Sequence, residues 1–420
     1  MSHKCGAVAI LLGLSITAAL YGQKKADFSR FVVAGDSLSA GYQNSQLIES
    51  GQVHGYANVI ATQAGVSLKL PILQGAYPQI SIIQGHAVVT GLTPYPRVNT
   101  QQTLDVAVPG FVVGALVGFH PPCTLDLTNP IAVMAAEILN PKCTTDPGPT
   151  ELAEAASLQP TTAILWIGSN DALFSILFGG PPTPLEDSAT TPGFRTLYRA
   201  AASTMASNSG HLVVANIPDV TLTAYLTSVP KLAAILKLDP STVEFVFHLG
   251  ADDMVTPYAF VAIQAMGANL TALPESDPVS QVPVVIRAAR LAEIRAAVIA
   301  YNSAIAAEAA DNGATLVDIY SLINDLAANG VVVGGQKLTT DFMGGLFSLD
   351  GVHPTNTGYA IIANEFIKTM NRSLRAAIPP VSIEQVSKTD PLIFPANDHG
   401  KHTGHVDVGM ADGLRRLGRR

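Results

Sequence analysis

The chain has 420 residues, 48% hydrophobic and 13% charged, enough apolar material for one large core or a core with a smaller subdomain. So little charge excludes a long disordered protein. A net charge of -8 leaves no basic field for nucleic acid, where a Lys/Arg surplus on one face is expected.

In chain order, the first element is a leader. His3 and Lys4 form a short polar start, Ala7 to Leu20 is a largely apolar run, and Gly22 precedes Gln23-Lys24-Lys25. The run is too short to span a bilayer but fits the apolar core of a signal peptide over residues 1–22. Export, to the medium or the periplasm, is the expectation; an uncleaved anchor or a buried helix is the alternative. No lipobox surrounds Cys5.

Phe31 to Gly35 reads as a buried parallel strand, an apolar run closed by glycine. The same pattern returns at Ala163 to Gly168, Leu212 to Ile217 and Ala314 to Ile319, and Leu104 to Val108 is a further strand candidate. Helical stretches lie between them, at Phe194 to Ser207 and Val284 to Asn312, and a last helix starts at Thr355 or Asn356. Such alternation predicts a parallel sheet covered on both faces.

Three stretches interrupt it. Residues 66–100, rich in Gly, Pro and β-branched residues, suggest loops or a small hairpin. Residues 119–150 are Pro-rich and hold Cys123 and Cys143. With Cys5 in the leader, that pair suggests one disulfide in an oxidising compartment, worth roughly 3 kcal/mol; two free buried thiols are the alternative. Residues 221–283 form an apolar insertion, helical in parts and broken by five prolines, read as a packed subdomain that also lines the site. From 388 the chain becomes a tail with His399, His402 and His405 and four arginines. A metal site is one reading; a flexible solvated tail is favoured because no apolar periodicity fixes the histidines.

Chemistry concentrates in three motifs. Gly35-Asp36-Ser37-Leu38-Ser39 follows the first strand. A serine at a strand-to-helix turn projects its hydroxyl above the carboxyl edge of the sheet, and its N–H lies where negative charge is favoured. Alone, the motif could be a simple helix cap. Gly168-Ser169-Asn170-Asp171 follows another strand, where the Asn170 amide can donate to an oxyanion or merely close an Asx turn. In Asp350-Gly351-Val352-His353-Pro354, one loop delivers both an imidazole and a carboxylate to orient it. The mid-chain Gly-x-Ser-x-Gly of the α/β-hydrolase fold is missing.

On these blocks the chain resembles the GDSL/SGNH hydrolase family from about Arg30 to Met370, within a domain placed at 27–375. GDSLS matches the family's nucleophile block at Ser37, GSND the oxyanion block at Asn170, and DGVHP the Asp-x-x-His block at Asp350 and His353. The family's remaining block, a glycine whose N–H joins the oxyanion hole, falls best on Gly110 in Val106-Ala107-Val108-Pro109-Gly110, with Gly114 close by. The resemblance implies a flavodoxin-like three-layer α/β/α sandwich, no metal or other cofactor, and acyl transfer from esters to water.

The expected activity is an exported serine esterase or lipase on small-molecule or lipid esters, with peripheral contact to membrane lipid allowed and no obligate protein partner. An acyltransferase on the same scaffold and a catalytically silent lipid- or glycan-binding protein are the competing readings. The second would have no need of Ser37, Asn170, Asp350 and His353 together.

Overall fold

The structure, a computed structural model, describes residues 26–73, 79–83, 86–91, 97–99, 101–124 and 129–393. The expected leader and the histidines of the tail lie outside them. Four strands build the central sheet: β1 (Phe31–Gly35), β2 (Thr162–Trp166), β3 (Leu212–Ala215) and β4 (Thr315–Val317), parallel and in that order. The stretch 104–108 adds a row on the far side of β1. Val33 N–H donates to Leu104 O, Val106 N–H to Val33 O and Val108 N–H to Gly35 O, a parallel ladder at 2.8–3.1 Å. The first strand in the chain thus lies second in the sheet, which is the flavodoxin-like order.

Alternation along each strand splits the core in two. Val32, Ala34, Ala163, Leu165 and Val214 face one layer; Phe31, Val33, Ile164, Trp166, Val213 and Ala215 face the other. Both layers are helical, so these strands are apolar apart from Thr162 and Thr315 at two strand starts, as a doubly covered parallel sheet requires. The first layer includes α3 (Glu151–Ser157), α5 (Phe194–Asn208) and α6 (Ala288–Asp311); the second holds α2 (Tyr56–Gln63) and α7 (Asn356–Leu374). Two short helices that open at the site, α1 (Ser37–Ala40) and α4 (Ser169–Leu177), follow β1 and β2. In the second layer Tyr56 stacks on Phe366 at 4.7 Å, and Trp166 packs edge-on against Tyr56.

The insertion is a packed unit. Helices Val229–Leu236, Pro240–Phe247 and Pro257–Met266 surround a core of Leu232, Val243, Phe247, Val255 and Phe260. A three-stranded antiparallel sheet of Thr227–Ser228, Met254–Val255 and Val285–Ile286 ties it down. Pro230, Pro240 and Pro257 each sit in the first helical turn, where no N–H is missed. They start helices and do not break them.

Residues 79–83 and 86–91 form an antiparallel hairpin. Cys123 and Cys143 are disulfide-bonded, with Cα atoms 5.4 Å apart. The packed chain runs beyond the expected boundary at 387. Helix Ile383–Thr389 is followed by the buried Asp390, whose carboxylate accepts both the Thr357 N–H and its hydroxyl at the start of α7. Among the described residues no helix is long and apolar enough to cross a membrane.

Candidate active site

Every expected site residue lies at the carboxyl edge of the sheet. Gly35 ends β1 so close to its neighbour that a Cβ would sit 2.2 Å from Trp166 O. Asp36 caps α1 by accepting the Leu38 N–H at 3.0 Å. Ser37 is the first helical residue, so its N–H has no acceptor within the helix.

The loop before α7 brings the partners. Ser37 Oγ lies 2.8 Å from His353 Nε2, and His353 Nδ1 lies 2.9 Å from Asp350 Oδ2. Asp350 also accepts the N–H groups of Ser45, Val352 and His353 and the Ser348 hydroxyl, at 2.8–3.1 Å. Burial alone would raise this carboxyl; the His353 charge and the hydrogen bonds outweigh it and hold it down at about 2. An ionised Asp350 can only accept, so Nδ1 carries the proton and Nε2 of the neutral ring is free to accept from Ser37. Thr355 caps α7 through the Gly358 N–H, and Gln43 Nε2 donates to Pro354 O at 3.0 Å, which fixes the exit of the His353 loop.

Val108-Pro109-Gly110-Phe111 is a type II turn. Phe111 N–H donates to Val108 O at 3.2 Å, Pro109 takes the second position, and Gly110 has φ +83°. Gly110 shares a groove with Ser37, Asn170 and His353, whereas Gly114 lies within helix Val113–Gly118. The Ser37 and Gly110 N–H groups make no hydrogen bond among the described residues. Asn170 donates one amide hydrogen to Phe111 O at 2.9 Å, which leaves the other for a ligand.

Several acids here were not picked out by sequence reasoning. Asp171 accepts the Val113 N–H at 2.9 Å, so adjacent residues of α4 grip the Gly110 turn. Glu151 accepts the Gly35 N–H at 2.6 Å, and Asp105 accepts the Ala107 N–H. Burial lifts Asp36 to about 7, Asp105 to about 8, Asp171 to about 6 and Glu151 well above the ordinary carboxyl range. Asp36 and Asp171 lie inside the GDSLS and GSND blocks, which is the only signal for them; Asp105 and Glu151 look like ordinary turn or first-turn acids.

The family model for GDSL-like Lipase/Acylhydrolase matches residues 31–366. The chain belongs to this family. Ser37, Gly110, Asn170, Asp350 and His353 all fall inside the matched span, and an ester hydrolase follows in general terms. Similar solved structures include LAE5, an alpha/beta hydrolase enzyme from the metagenome of Lake Arreo, Spain. It is 13% identical, over 84% of this chain and 99% of its own, with a TM-score of 0.37. An extracellular lipase from Streptomyces rimosus is also 13% identical, over 82% of this chain and 98% of its own, with a TM-score of 0.32. No curated protein matches the chain.

Proposed function

We propose that the chain is an exported serine esterase or lipase. Ser37 is its nucleophile, His353 its base, Asp350 the orienting acid, and the Ser37 N–H, Gly110 N–H and Asn170 amide its oxyanion hole. The observation that carries this reading is the continuous relay from Ser37 Oγ through His353 to Asp350, at 2.8 and 2.9 Å. His353 Nε2 takes the Ser37 proton as Oγ attacks the ester carbonyl. The three donors meet the oxyanion, and His353 returns the proton to the departing alcohol. Water then attacks the acyl-enzyme in the same way, releasing the acid and restoring Ser37.

Export rests on the apolar leader and agrees with the Cys123–Cys143 disulfide. Contact with lipid is supported by Phe178, 63% exposed on the rim of the groove that holds Ser37. The test is hydrolysis of p-nitrophenyl esters by the wild type and Ser37→Ala. Activity lost in the variant supports the reading; equal inertness of two folded proteins overturns it.

A further inference from the structure

The space around Ser37 is divided. A narrow cleft of about 50 Å³ lies on one side, between Trp166, Pro218, Val220, Ile319, Ile323 and Phe347. An open groove of about 270 Å³ runs along the other, past Gly110, Met134, Phe174, Leu177, Phe178 and Tyr225. Ser37, Asn170, Leu173, Val352 and His353 line both, so the reacting atoms stand at the partition.

One water needs roughly 10–15 Å³ on this measure of volume. The cleft therefore has room for about four heavy atoms and the groove for about twenty. Neither is lined by Lys or Arg among the described residues. The acids present have partners: Asp350 pairs with His353, Asp219 with Arg295 at 3.6 Å, and one oxygen of the buried Asp36 accepts the Leu38 N–H. A phosphate or a second carboxylate near the scissile bond would be stripped of water with no cation to meet it.

Resting on the esterase reading, we infer that the substrate is a neutral, lopsided ester. One arm is aliphatic and no longer than about four or five carbons, seated in the cleft; the other is long and apolar, laid along the groove. The ester carbonyl sits between them over Ser37. Ile323 sets the depth of the short side, and Phe178 covers the outer part of the long one.

Two ester series on the intact protein test this. The first lengthens the acyl chain from two to sixteen carbons on a fixed methyl alcohol; the second lengthens the alcohol on a fixed acetate. In one series kcat/KM should fall at least tenfold beyond about five carbons, while in the other it should rise to ten or more. Ile323→Ala should move the cutoff out by one or two carbons and leave the long-arm series alone. Phe178→Asp should depress only the longest members of the long-arm series. Equal tolerance in both series overturns the inference while leaving the esterase reading intact. So does a variant that shifts both together. Absence of all turnover by folded wild type overturns both.

Discussion

Gly110 offers the most discriminating test of the oxyanion arrangement, because its backbone and not its side chain is at issue. In Gly110→Ala the new Cβ would lie 2.8 and 2.9 Å from Ile131 Cδ1 and Cγ1. Comfortable carbon contacts need about 3.5–4.0 Å, so the turn or Ile131 must give way by about 0.6–1.2 Å. The left-handed φ of +83° adds about 1–2 kcal/mol for a residue with a Cβ. Ile131 is only half-buried and can absorb part of the shift; the turn takes the rest and carries the N–H with it. Complete loss of one oxyanion donor costs about 100- to 1,000-fold in kcat, so a donor misplaced by a few tenths of an ångström should cost about 10- to 100-fold. KM should stay within about twofold, because the donor acts on the transition state. The assay is p-nitrophenyl butyrate turnover, with active sites counted by a fluorophosphonate so that unfolded protein does not enter kcat. Gly114→Ala is the control, since its Cβ meets only Leu197 Cδ1 at 3.5 Å, an ordinary contact. Full kcat in Gly110→Ala with the turn preserved would remove Gly110 from the oxyanion hole. A loss confined to Gly114→Ala would move the donor there.

Asp350→Asn should lower kcat by roughly 10,000-fold at neutral pH while the fold persists, because an amide in place of the acceptor favours the wrong His353 tautomer; near-normal turnover would show that the imidazole is oriented by something else. Asp171→Ala should cost about tenfold in kcat through the loosened Gly110 turn, whereas Asp171→Asn, which keeps an oxygen for the Val113 N–H, should recover most of it; equal losses would refute a positioning role. Asp105, raised to about 8, keeps its proton in the folded state where the unfolded chain has lost it. Stability must therefore fall as pH climbs from about 4 to about 8, by about 1.4 kcal/mol per pH unit for this group. Urea unfolding at pH 5, 7 and 9 should show that slope shrink in Asp105→Asn, and an unchanged slope would mean the group is ionised in the fold. Reduction of Cys123–Cys143 should cost about 3 kcal/mol, read as a lower urea midpoint; an unaltered midpoint would show that the loop is held by its other contacts.

The sheet was legible because burial on both faces leaves an apolar run with no period, and Phe31–Gly35, Thr162–Trp166, Leu212–Ala215 and Thr315–Val317 all carry one. The three motifs were legible for a related reason, since each follows a strand or opens a helix and so falls on one edge. Other elements left no such trace. Helix Pro130–Leu139 is buried on almost every side, so its composition lacks the polar stripe by which helices are read. In the insertion, read as helical in parts, Pro230, Pro240 and Pro257 look like breaks where they are helix starts. Glu151 sits at the first turn of an ordinary-looking helix, and only the tertiary approach of Gly35 N–H makes it part of the site. The hydrogen bond from the Ser45 N–H to Asp350 likewise depends on a contact across 305 residues, which no local pattern encodes.

Ser37 and His353 stand 316 residues apart, near opposite ends of the fold. On the proposed reading, the nucleophile emerges during synthesis 316 residues before its base. Until the final strand, loop and α7 are in place, Ser37 is an ordinary alcohol. A chain still on the ribosome, or one cut short anywhere before the DGVHP loop, carries a serine that nothing can activate. On the proposed reading, the order of the parts along the chain acts as a safety catch that keeps the esterase inert until its fold is finished.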